Sequence, residues 1–107
     1  MSKLFSKIIA LIKKGDILIS SHGYDELTND NIYVKEIIET INEAKVINEY
    51  PDYLKGPCVL VLQKDNLNKP VHVVWGIPKE SNSPVVLVTA YRPDPERWSD
   101  DFSRRRK

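Results

Sequence analysis

Pro70-Val71-His72-Val73-Val74-Trp75-Gly76-Ile77 is the stretch whose reading decides the fold class. Pro70 suits the start of a strand. From there Val71, Val73, Trp75 and Ile77 point one way, and His72, Val74 and Gly76 the other. Working outward, Asp65-Asn66-Leu67-Asn68 reads as a hairpin connection to an earlier strand, Cys58 to Gln63, opened by Gly56-Pro57. Before that, Val46-Ile47 runs in strand period until Pro51 stops pairing. On the other side, Pro78 to Pro84 is a polar loop, and Val85 to Tyr91 is apolar on both faces until Thr89, as a central strand would be. Four strands with short connections predict an antiparallel sheet.

Upstream of Ala44 the period is helical. Leu4, Ile8, Leu11 and Ile12 share one face, with Ser2 as cap, Lys13 and Lys14 at the negative end of the dipole, and Gly15 as stop. Asp16-Ile17-Leu18-Ile19 is too short to classify. Ser20 or Ser21 caps a second helix through Tyr24 and Leu27, and Asn29-Asp30-Asn31 reads as a turn. A third helix places Val34, Ile37, Ile38, Ile41 and Ala44 on one face and Lys35, Glu36, Glu39 and Glu43 on the other. Downstream, Asp94-Pro95 is a helix-start signal, with Trp98 and Phe102 four apart to anchor a final turn. The expectation is one α+β domain over residues 1–107, with N-terminal helices packed on one face of a small, about four-stranded antiparallel sheet.

With 107 residues, 41% of them hydrophobic, there is material for one packed core. No apolar run is long enough to span a bilayer, and the lysines among the first fourteen residues spoil a signal peptide. Cys58 is the only cysteine, so neither an internal disulfide nor a cysteine metal cluster is expected. These features predict a cytoplasmic protein without membrane contact. The net charge is +1, yet Arg104, Arg105, Arg106 and Lys107 carry four positive charges, which leaves about −3 on the rest. Nucleic-acid contact must therefore come from a local patch or from that tail, which otherwise reads as a solvated, partly disordered end.

Few residues offer chemistry. His22 stands at the expected start of the second helix, where a neutral imidazole suits a proton acceptor, and Glu26 lies one turn on to orient it. The alternative is an exposed surface pair. His72 is either a surface histidine or a second proton-transfer or RNA-stacking group. Tyr91 and Arg92 end the last strand, where a guanidinium can grip a phosphate; alternatively Arg92 pairs with Asp94 or Glu96. Lys55 and Lys79, both in loops, are further phosphate-binding candidates. Nothing has metal-ligand spacing, and there is no glycine-rich phosphate loop or G-x-S-x-G element, so neither metal nor other cofactor is expected.

Ser21-His22 with Glu26-Leu27, Gly56-Pro57-Cys58-Val59-Leu60-Val61-Leu62, Pro70 to Gly76 and Thr89-Ala90-Tyr91-Arg92-Pro93-Asp94 resemble a small bacterial toxin-like family. Its genes often stand beside those for YgiT-type (MqsA-like) zinc-finger antitoxins. The likeness runs from about the second helix to the Trp98 region, and Thr89 to Pro95 is its most specific part. Many relatives have Ala where this chain has Gly23, and broader relatives carry an arginine beyond the Glu26 region that is missing here. The resemblance implies a RelE/BrnT/MqsR-like fold and the toxin of a type II toxin–antitoxin pair, a metal-independent endoribonuclease (an mRNA interferase) acting on RNA, often ribosome-bound. A ribose 2′-hydroxyl would attack the adjacent phosphate, with His22, His72 and Arg92 as base, acid and cation, and Tyr91 and Glu26 in support. A non-catalytic RNA- or protein-binding module, using the sheet edge and the basic tail, is the alternative; action on a nucleotide or transfer RNA is a third.

Overall fold

The computed structural model of the protein describes residues 2–106. Helix α1 spans Lys3–Lys14, capped by the Ser2 hydroxyl, which accepts the Phe5 N–H at 3.0 Å. It ends at Gly15, whose φ of 81° is the left-handed turn that glycine takes without strain. Phe5, Ile8, Leu11 and Ile12 are its buried stripe.

The unclassified stretch after it is a strand. β1, Ile17–Ile19, lies parallel to β5, Val85–Tyr91, with Ile17 opposite Val85. β2 (Lys45–Tyr50), β3 (Cys58–Lys64) and β4 (Pro70–Gly76) complete the sheet in the order β1-β5-β4-β3-β2. The sheet is thus five-stranded and mixed, not four-stranded and antiparallel: β1 had too few residues to show a period, and its partner lies far away in sequence. The α+β expectation stands.

Helix α2, Ser21–Asn29, starts from Ser20, whose hydroxyl accepts the Gly23 N–H at 2.9 Å and donates to the Val88 carbonyl at 2.9 Å. That pins the helix start onto β5. Gly23 explains itself here: a β-carbon would lie 2.7 Å from the Leu87 carbonyl oxygen, so alanine would force the helix off the sheet.

Helix α3 covers only Val34–Glu39, followed by a 3-10 turn, Ile41–Glu43, rather than continuing to Ala44. The reason is Gln63. Its amide donates to the Ile37 carbonyl at 2.7 Å, taking the acceptor that the next helical turn would have used, and reaches the Thr40 hydroxyl at 3.1 Å. The Gln63 carbonyl in turn accepts the Trp75 indole N–H at 2.9 Å. This chain of bonds ties α3, β3 and β4 together inside the core.

The helices pack against the inner face of the sheet, where Val59, Val61, Val71, Val73, Trp75 and Leu87 are buried. A bulge in β5 matters for the outer face. Val74 lies opposite Thr89 and Trp75 opposite Leu87, so Val88 is the extra residue. The bulge lets Leu87 and Ala90 both point inward, and turns Tyr91 outward beside its partner His72.

Residues 94–106 fold across the outer face. Asp94 caps a single turn, not a helix, and Trp98 and Arg105 form an antiparallel bridge. Arg105 lies over the Trp98 ring at 5.5 Å, and Arg106 pairs with Asp100 at 2.8 Å. The basic segment is therefore folded back on the domain through Arg106 instead of extending into solvent; Lys107 lies outside the described residues. No helix among those residues is long and apolar enough to cross a membrane.

Candidate functional site

The sequence candidates separate into two places. Four positions along β4 part His72 from Gly76, about 13 Å of strand, and α2 sets His22 about 12 Å from its own C-terminal cap at Asp30. Those two spacings decide which residues meet.

At one end, His22 and Lys55 line a common pocket of about 410 Å³. Ser20 and His22 come from the start of α2, and Tyr53, Lys55 and Gly56 from the β2–β3 loop; Cys58, Gly76, Val86 and Val88 are apolar or small outer-face residues of the sheet. Backbone bonds hold the loop there: Ile77 N–H to the Pro57 carbonyl, and Lys79 N–H to the Lys55 carbonyl, both 3.0 Å. Gly56 has φ +131°, and a β-carbon on it would sit 2.0 Å from the Ile77 carbonyl oxygen, so only glycine allows so close an approach. The His22 side chain is 68% exposed, with its Nε2 3.9 Å from a Glu26 carboxylate oxygen, too far for a hydrogen bond. Burial pushes the Cys58 thiol up and keeps it protonated. Lys79 is exposed beside the pocket, joined to Lys55 only through the backbone.

At the other end the candidates are occupied. His72 faces neither water nor the helices: it is fully buried beneath residues 94–106. Its Nε2 lies 2.8 Å from the Phe102 carbonyl, which can only accept, so Nε2 carries the proton and Nδ1 is left to accept from the Tyr91 hydroxyl at 3.3 Å. The Trp98 ring packs edge-on at 4.3 Å. Tyr91 is half-buried, and burial raises its hydroxyl pKa.

Arg92 is a clamp. Its Nε donates to the Asp30 carbonyl at 3.1 Å and its Nη2 lies 3.4 Å from the Asn31 carbonyl, so the guanidinium caps the C-terminal end of α2. Nη1 stands 3.0 Å from Asp65, not from Asp94 or Glu96. Burial alone would raise the Asp65 carboxyl, but the Lys69 and Leu67 N–H groups and Arg92 together outweigh it and hold the pKa below the ordinary carboxylate range. The structure therefore does not bring His22, His72 and Arg92 into one cleft.

Burial, only partly offset by the bond to Phe102, holds the His72 pKa below the usual value. The unfolded chain takes up this proton near pH 6.5, and the folded chain only at lower pH. His72 thus favours the fold fully above about pH 6.5, and that stability is lost as pH falls from there through the depressed value. Urea midpoints should drop between pH 7.5 and pH 5.5 in the parent protein, and drop less in His72→Gln. Parallel curves for the two proteins would show that His72 is not the group responsible.

Among the described residues no three His, Cys, Asp or Glu side chains gather as a cation cage. The family described as a domain of unknown function (DUF4258) matches residues 19–92. The chain belongs to that family. Every residue lining the His22–Lys55 pocket falls inside the matched span, whereas α1 and the 94–106 segment fall outside it. No curated protein and no solved structure matches the chain.

Proposed function

We propose that this protein is the toxin of a type II toxin–antitoxin pair and cuts RNA in the cytoplasm at the His22–Lys55 pocket, with a RelE/BrnT-like architecture and a YgiT/MqsA-like zinc-finger antitoxin as partner. The observation that carries the site is the convergence of an exposed imidazole and a lysine on one pocket with an apolar floor. In this reading His22 takes the proton of a ribose 2′-hydroxyl as it attacks the adjacent phosphorus, and Glu26 holds the ring. Lys55 stabilises charge on the phosphoryl oxygens. The imidazolium then returns the proton to the departing 5′-oxygen, leaving a 2′,3′-cyclic phosphate. These steps need only side chains, so the reading requires no metal.

The burial of His72 and the engagement of Arg92 favour a second reading, a non-catalytic binding module for RNA or protein, since only one imidazole remains free. Induction in a bacterial host separates the two. Growth arrest relieved by co-expression of a YgiT/MqsA-like zinc-finger protein, with new RNA ends bearing cyclic phosphate, is the result expected of the nuclease. Arrest without new RNA ends would leave the binding module standing.

A further inference from the structure

We propose that the pocket receives one unstacked nucleobase of a single-stranded RNA, laid face-on against the Tyr53 ring, with the adjoining phosphate at Lys55. This rests on the RNA reading above and names how the same site holds its substrate.

Tyr53 lines the pocket and is 53% exposed, in a loop that packing does not require to present an aromatic ring. That loop is nevertheless braced, by Gly56 N–H to the Tyr53 carbonyl at 3.0 Å and by the backbone bonds of Lys55 and Pro57 to residues 77–79. A ring on a braced loop loses little freedom when a flat ligand stacks on it.

The floor argues for what stacks. Cys58, Gly76, Val86 and Val88 present no strong hydrogen-bonding side chain, and the Ser20 hydroxyl is already engaged by Val88 and Gly23. A sugar or a polar amino acid would leave its own donors and acceptors unmet there. A heteroaromatic ring presents a π-face instead. The volume, about 410 Å³, lies in the range of small-molecule sites. At the rim, Lys55 and Lys79 supply positive charge on paired backbone, with Glu80 next to Lys79 and Asp52 three residues before Lys55. A site that stacks and does not read base edges accepts any base at this position, with modest preference by size.

The test uses short 2′-O-methyl RNAs, which lack the attacking hydroxyl, so that affinity is read apart from scission. A single abasic site is moved along the strand. One position should weaken binding roughly 5- to 100-fold in the parent protein and in Tyr53→Phe, and that penalty should vanish in Tyr53→Leu. Tyr53 is exposed enough for these changes to leave the fold intact. An abasic penalty equally large in Tyr53→Leu, or absent at every position while intact RNA still binds, overturns the base pocket alone. Failure of every intact RNA to bind overturns the RNA reading together with it.

Discussion

Replacing His22 with alanine is expected to slow RNA scission by about 10²–10⁴-fold, the range lost with a general base. Stability should change by no more than about 0.5 kcal/mol, because the side chain is 68% exposed and makes no close hydrogen bond. A further point favours a clean result: the cap of α2 is Ser20, not His22, so the helix start survives the change. Purified protein, single-turnover conditions and a thermal melt provide both readouts. Unchanged scission in His22→Ala would remove the imidazole from the mechanism and leave the pocket without a base.

Arg92→Leu should do the reverse. The substitution strips two carbonyls at the end of α2 of their cationic cap and leaves Asp65, which is 8% exposed, without its ion partner. The Arg92 side chain is 33% exposed, so the pair is only half-buried; leaving the Asp65 carboxylate short of a partner costs about 1–3 kcal/mol, and the two backbone N–H bonds that Asp65 keeps argue for the lower figure. The urea midpoint is the measurement, with scission assayed well below it. Near-parental stability combined with lost scission would make Arg92 a phosphate ligand after all, and the clamp incidental.

What could be read from the sequence was whatever local chemistry encodes. Ser2 and Ser20 mark their helices, Gly15 stops one, and alternation along Pro70–Gly76 sorts Trp75 from His72 correctly. Features created by distant pairing could not be read. Ile17–Ile19 becomes a strand only because Val85–Leu87 lies beside it, α3 is cut short by a glutamine on β3, and no residue type announces the extra Val88 in β5. The same limit governs the site. His22 and Lys55 were found because a histidine at a helix start and a lysine in a loop are locally conspicuous. His72 and Arg92 looked equally suitable, and their unavailability arises from Phe102, Asp30 and Asp65. Tyr53 was overlooked, although a large aromatic followed by Leu54 in a loop bounded by Pro51 and Gly56 was a usable signal.

The parallel seam between β1 and β5 also bears on when the protein becomes competent. Ser20 and Val88, which lock the start of α2 in place, are 68 positions apart, and contacts so remote in sequence close late because the intervening chain must first be ordered. A nascent chain that has not yet emerged past Val88 lacks both the seat for His22 and two residues of the pocket floor. Under the proposed function, ribosomes making this protein are spared its chemistry until most of the domain has left the exit tunnel.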